Sequence, residues 1–165
     1  MALREKLNSN KTAVVIGLIL LIAGLLVWNV SWSQGEYRSP DRAFYSVDDG
    51  KTLFVDSASL IPPFEKEGKA AVKVVAMSCD GGATKTAVYL ERYTQAAVKE
   101  LSDRKAQTGS LSPAIVAGIA ARGGKEVKKA NDPNGKWVNC SDLGRAIPIL
   151  TYRCPGGAKA AVISP

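Results

Sequence analysis

The sequence predicts an α+β protein: a single N-terminal transmembrane helix followed by a small mixed domain of β-hairpins and two short helices. Three observations carry this. Thr12 to Val30 is one apolar run, TAVVIGLILLIAGLLVWNV, with no charged residue between Lys11 and Glu36. Two stretches of alternating residues, Ala70 to Cys79 and Thr84 to Tyr93, flank Asp80-Gly81-Gly82, the pattern of a hairpin. Two alanine-containing stretches, Gln95 to Ala106 and Ala114 to Ala121, follow Thr94 and Ser112-Pro113, which suit helix N-caps. The chain of 165 residues then divides into a cytoplasmic tail 1–11, a transmembrane helix 12–32, a linker 33–42 and an extracytoplasmic domain 43–165.

Twelve of the nineteen residues from Thr12 to Val30 are Leu, Ile or Val. Each favours insertion by roughly 0.3–0.6 kcal/mol near a helix centre. As a helix, the run spans about 28 Å, close to the thickness of a hydrocarbon core. Trp28 and Trp32 share a helix face at its outer end, where indole rings anchor at the interface. The alternative is a cleaved signal peptide, with Ser31-Trp32-Ser33 as the cleavage site. The run exceeds the about 7–15 residues of a signal's apolar region, which favours an uncleaved anchor. Arg4, Lys6 and Lys11, opposed only by Glu5, keep the tail in the cytoplasm and send the domain outside the inner membrane. Ala13, Gly17 and Gly24 share one face and form a candidate surface for packing against another membrane helix.

The net charge is +7, of which the part beyond the apolar run holds 19 basic and 14 acidic residues. A surplus of that size suits a solvated surface, or contact with an anionic polymer or lipid head groups. Its densest part is Arg122, Lys125, Lys128, Lys129 and Lys136, within a basic, turn-rich stretch read as a loop. Nucleic acid is not an expected partner, since no aromatic-basic binding motif occurs. The sequence contains no histidine. That excludes Ser-His-Asp and Cys-His catalysis, and histidine-bearing zinc sites.

In order, Ala43 to Val47 and Lys51 to Val55 flank Asp48-Asp49-Gly50, a second hairpin signal. Read with Asp56 as a calcium loop, these aspartates miss the required twelve-residue spacing, so the turn is the better reading. Ser57 to Lys69 reads as an ordered loop. In the β-strand Thr84 to Tyr93, the alternation places Thr84, Thr86, Val88 and Leu90 on one face and Lys85, Ala87, Tyr89 and Glu91 on the other. Val98 and Leu101 are the helix residues expected against the sheet. Trp137 to Cys140 and Arg145 to Cys154 read as strands, the second irregular at Pro148. Lys159 to Ile163 reads as the last strand. Glu91 and Asp103 are the carboxylates weighed as a hydrolytic pair, with nothing in the spacing to bring them together.

Cys79, Cys140 and Cys154 allow one disulfide with one thiol over. Cys79-Asp-Gly-Gly-Ala-Thr-Lys-Thr-Ala-Val88 echoes Cys154-Pro-Gly-Gly-Ala-Lys-Ala-Ala-Val162 with one gap. The echo favours Cys79–Cys154 as the pair, through two cysteine-turn-strand units side by side; chance similarity is the competing account.

The segment Phe44 to Asp56, with Ile61-Pro62-Pro63-Phe64, Gly68-Lys69, Ala71-Val72, Cys79-Asp80-Gly81-Gly82 and Tyr89-Leu90-Glu91-Arg92-Tyr93, resembles a group of uncharacterised, planctomycete-type bacterial proteins. Trp137, Cys154-Pro155-Gly156 and Pro165 are similar to that group too. The resemblance implies a membrane-anchored chain with one extracytoplasmic domain in a bacterial envelope. It brings no activity, ligand or catalytic residue. The expectation is a non-catalytic accessory or structural subunit of an envelope complex, with no cofactor, in contact with the lipid bilayer and other membrane subunits. The alternative is a free-standing binding module for an anionic polymer or lipid head groups.

Overall fold

The structure, a computed structural model, describes residues 40–165. The expected tail 1–11, the membrane helix 12–32 with Ala13, Gly17, Gly24, Trp28 and Trp32, and most of the linker lie outside the described residues. Among the described residues, no helix is long and apolar enough to cross a membrane.

Residues 40–165 form an α+β domain with an eight-stranded antiparallel sheet and three α-helices. The strands are β1 (Arg42–Ser46), β2 (Phe54–Ser57), β3 (Phe64–Lys66), β4 (Lys69–Ser78), β5 (Thr86–Tyr93), β6 (Lys125–Lys129), β7 (Val138–Asn139) and β8 (Ala161–Ile163). The helices are α1 (Gln95–Thr108), α2 (Pro113–Ile119) and α3 (Leu143–Leu150). The main strand order is β2-β1-β4-β5-β6-β7, with β3 and β8 also paired to β4.

Strand β4 is the organising element. Its ten residues alternate so that Val72, Val74 and Ala76 are buried. With Phe44, Leu90 and Ala130 they form one apolar cluster, against which Leu53, Ala87, Trp137 and Ile163 pack. Ala97, Leu101 and Ile119 form a second, joined by Tyr93 and Ile115. The β4–β5 hairpin is present as the alternation predicts, with a change of phase. Val75 pairs with Tyr89 but Ala76 with Ala87, so Val88 is an extra residue on β5. This bulge moves Ala87 from its expected face into the cluster of Leu90.

Helix α1 starts where expected: the Thr94 hydroxyl accepts from the Ala97 amide at 3.3 Å. Ala97, rather than Val98, joins Leu101 as its buried face. Helix α2 starts at Ser112-Pro113 as expected and runs through a wide last turn, Ala120–Gly124, in which Gly123 has φ 82°.

Three expectations are corrected. Within the loop read from Ser57 to Lys69, Phe64–Lys66 is a strand paired to β4, because Glu67 and Gly68 both take positive φ and close a two-residue hairpin. The basic stretch read as a loop from Lys125 begins as strand β6, in register with β5 from Tyr93↔Lys125 to Tyr89↔Lys129. The strand expected from Arg145 is helix α3. Asp142 caps it, its carboxylate accepting from the Arg145 amide. Pro148 is tolerated late in this short helix, and Ala146, fully buried, seats it. Strand β8 is the last strand, shortened to Ala161–Ile163.

Candidate functional site: two charged clusters on strands β5 and β6

Neighbouring residues of a strand point to opposite faces, so β5 and β6 present two sets of ionisable side chains back to back. On the face of Leu90, Arg92 lies opposite Glu126 and Lys128 lies opposite Leu90. The Arg92 Nε donates to Glu126 Oε2 at 2.8 Å, and its guanidinium stacks 4.2 Å from the centroid of Trp137. Lys128 is 5% exposed, and its Nζ lies 2.6 Å from Asp49 Oδ1 and 5.9 Å from the Trp137 centroid. Trp137 is thus bracketed by two cations, each neutralised by a carboxylate.

On the other face, Glu91 is flanked by Lys73, 4.0 Å away and directly opposite on β4, and by Lys125, with which it makes a short ion pair. Tyr89 and Tyr93 border the same carboxylate. Burial raises both hydroxyls, that of Tyr89 to about 12, and Glu91 adds to each. Half-buried Cys140 completes the group; its amide donates to the Lys125 carbonyl at 2.9 Å. Burial pushes its thiol up, Lys125 opposes that, and Glu91 and Glu126 reinforce it. This environment keeps the sulfur protonated, the opposite of what a nucleophilic cysteine needs.

The five basic residues predicted as a contact surface do not converge. Lys125 and Lys128 occupy opposite faces of β6 and are paired to Glu91 and Asp49. Arg122 reaches Glu100 of α1 at 3.2 Å. Lys129 and Lys136 are exposed and outside any ion pair among the described residues. Glu91 and Asp103 are engaged separately, Asp103 by Lys99 at 2.8 Å within α1. Against the expectation that no Ser-x-x-Lys motif occurs, Ser102 and Lys105 have that spacing, which some acyl-transfer enzymes use. Ser102 is exposed, and Lys105 donates to the Ser59 carbonyl at 2.8 Å. The disulfide is Cys79–Cys154, with Cα atoms 5.6 Å apart. Cys154 follows a helix rather than a strand, so the expected pairing is present without the expected twin hairpin units.

A second echo joins the turns after β1 and β4. Ser46-Val-Asp48-Asp-Gly50-Lys-Thr52 and Ser78-Cys-Asp80-Gly-Gly82-Ala-Thr84 share the pattern S-x-D-x-G-x-T and make the same turn. In each, the serine hydroxyl donates to the aspartate, at 2.7 and 2.6 Å. The same serine oxygen accepts from the glycine amide, at 2.9 and 2.7 Å. The aspartate accepts from the threonine amide, at 2.9 Å in both. The Thr52 amide, with help from Ser46, holds the Asp48 carboxyl down at about 2. Ser78 and Thr84 hold Asp80 well below the usual carboxylate range. The fourth position of each motif has positive φ, 61° at Asp49 and 74° at Gly81. Asp49 is thereby turned over the sheet, where its carbonyl accepts from Asn131 at 2.8 Å and its carboxylate meets Lys128. Lining up Ser, Asp, Gly and Thr at spacings of two would have found this motif.

These carboxylates and ammonium groups are committed to one another and to turns. Among the described residues, every buried side-chain nitrogen and oxygen has a hydrogen-bond partner. Such an arrangement fixes side chains in place. No family model matches the chain, and no curated protein or solved structure matches it.

Proposed function

We propose that the protein is a non-catalytic accessory or structural subunit of a bacterial envelope membrane complex. One transmembrane helix anchors it, with the α+β domain outside the inner membrane. The observation that carries this reading is the Cys79–Cys154 disulfide in a domain that follows an apolar run of membrane length. Disulfides persist in oxidising compartments such as the bacterial periplasm. The paired state of Glu91, Lys125, Lys128 and Asp49 supports a structural use of the charged clusters. Gentle detergent extraction from native membranes, then sizing and mass spectrometry, tests it. Stoichiometric partners are the expected result; a protein running alone would overturn the subunit reading. The second reading, an anionic-polymer or head-group binding module built on Arg122 to Lys136, has less support, because three of those five cations are already paired with carboxylates.

A further inference from the structure

Strands β6 and β7 are joined through Asn131-Asp132-Pro133-Asn134-Gly135-Lys136. A turn within it, Asp132 to Gly135, is closed by the Gly135 amide, which donates to the Asp132 carbonyl at 3.0 Å. Asp first, Pro second and Gly last suit such a turn. Space also demands Gly135: a Cβ there would lie 2.9 Å from Asp132 Oδ2 and 3.1 Å from the Asp132 carbonyl oxygen. The same missing Cβ leaves the Gly135 nitrogen unshielded from the side chain of the residue before it. That residue is Asn134, the sole asparagine of the chain followed by glycine. It is exposed, and among the described residues its carboxamide makes no hydrogen bond.

A side-chain carbonyl placed before glycine is open to attack by the glycine nitrogen, and the sequence has three such places: Asp49-Gly50, Asp80-Gly81 and Asn134-Gly135. The fold closes the first two. The Gly50 amide is buried and donates to Ser46 Oγ at 2.9 Å, while Lys128 holds the Asp49 carboxylate. The Asp80 carboxylate accepts from the Ser78 hydroxyl and the Thr84 amide, which keep it ionised, and an ionised carboxylate resists a nucleophile. The other asparagines of the region are held or shielded. The Asn139 side chain donates to the Gly123 carbonyl at 2.6 Å and accepts from the Ser141 amide at 3.0 Å. Asn131 precedes Asp132, whose Cβ crowds the nitrogen that would attack.

We propose that Asn134 is a site of spontaneous deamidation through Gly135. The Gly135 nitrogen gives up its proton to solvent base and bonds to Asn134 Cγ. The side-chain Cγ–N bond breaks, and the departing nitrogen takes up a proton and leaves as ammonia. Water then opens the cyclic imide at either carbonyl, leaving aspartate or isoaspartate at position 134. Water is the one co-reactant. The bond from Gly135 to Asp132 must open first, and the turn that holds it is largely exposed. Either product sets a carboxylate close in sequence to exposed Lys136. Isoaspartate also lengthens the main chain between Ala130 and Trp137, both of which pack in the cluster of Leu90. The β6–β7 connection thus changes charge and length with age, and this chemistry needs neither an anchor nor a partner.

The test incubates the full chain in detergent, folded or in urea, in mildly acidic and mildly alkaline buffer. Peptide mapping by mass spectrometry reads the conversion of each asparagine to acid. Isoaspartyl methyltransferase with labelled S-adenosylmethionine reads isoaspartate. The expected result in the folded chain is conversion at Asn134, faster in alkali, with Asn131 and Asn139 left as amides and no methyl label at Asp49 or Asp80. Asn134→Gln, at an exposed position, loses the label from the loop peptide; label that survives it overturns the assignment to that residue. Asn134 left as the amide in the folded chain overturns the proposal, whatever the unfolded chain does. Equal conversion at Asn139, or equal label at Asp49 or Asp80, in the folded chain overturns the selection by the fold. Urea is expected to bring label to Asp49 and Asp80, and its absence there overturns their protection by the turns.

Discussion

Lys128 Nζ and Asp49 Oδ1 stand 2.6 Å apart across 79 residues of sequence, and their contact clamps the β1–β2 turn over strand β6. Lys128 is buried, while the Asp49 side chain is 37% exposed. Removing the two partners therefore has unequal effects. Asp49→Ala strands a buried ammonium and is expected to destabilise by about 2–3 kcal/mol, below the about 3–5 kcal/mol of a fully buried pair. Lys128→Met keeps the stem's packing and lets Asp49 turn to water, with an expected loss under about 1 kcal/mol. Urea unfolding of the detergent-solubilised chain at neutral pH compares them; equal losses would contradict this account.

The twin turns make stability depend on acid. Asp48 and Asp80 are held below their unfolded values in the folded chain. Their stabilisation is complete above the unfolded carboxylate value of about 4 and is lost as pH falls through the folded value, about 2 for Asp48. Asp48→Asn is expected to lower stability at pH 7 and to flatten its decline between those two values. Ser46→Ala leaves the buried Gly50 amide without its acceptor and should cost about 1–3 kcal/mol at neutral pH. Urea midpoints across the acid range check both.

Gly124 is required by space rather than by φ. A Cβ there would lie 2.6 Å from Ile119 Cγ2, 2.7 Å from the Ile119 carbonyl oxygen and 2.9 Å from Ala97 Cβ. Its own carbonyl accepts from the Thr94 amide at 3.0 Å, just before α1. Gly124→Ala should destabilise by about 1–3 kcal/mol through overpacking. Gly68→Ala, at an open turn with φ 74°, separates backbone strain from steric contact in the same thermal melt.

Cys140 offers a probe of the Glu91 cluster. Its thiol is expected to alkylate with a midpoint above the ordinary cysteine value. Lys125→Gln removes the charge that opposes the rise and should slow alkylation further; Glu91→Gln should speed it. Iodoacetamide labelling of the oxidised protein across alkaline pH reads the shift, since Cys79 and Cys154 are already bonded.

Cys79→Ala, Cys154→Ala opens a link across 75 residues of separation. The chain-entropy account gives a loss of roughly 4 kcal/mol for a loop of that length. Release is expected at β8 first, because β4 is its sole strand partner among the described residues. Hydrogen exchange at Ala161 to Ile163 follows it.

Local signals carried much of the fold into view. The alternation of Val72, Val74 and Ala76, the Thr94 cap and the Ser112-Pro113 start each act within a few residues, and each element stands where they place it. Tertiary context decided the rest. Lys125 to Lys129 has too much charge to read as a strand, but its lysines find Glu91 and Asp49 and its Val127 is fully buried. Ile147-Pro148-Ile149 looks extended until Asp142 caps a helix and Ala146 meets the sheet. The charged clusters were the least legible part. They depend on the register of β5 with β6 and on a turn arriving from residue 49, neither of which sequence spacing encodes.

The two S-x-D-x-G-x-T turns place one hydrogen-bonded loop at the ends of two strands, β1 and β4. One loop design serves twice, and the fourth position decides what each loop can reach. Gly81 simply permits its turn; Asp49 occupies the same left-handed corner and also holds Lys128. Grafting residues 78–84 onto positions 46–52, with Cys79 kept as valine, should preserve the loop and forfeit only that clamp. The first turn thus closes its hairpin and also ties it to β6 through Lys128.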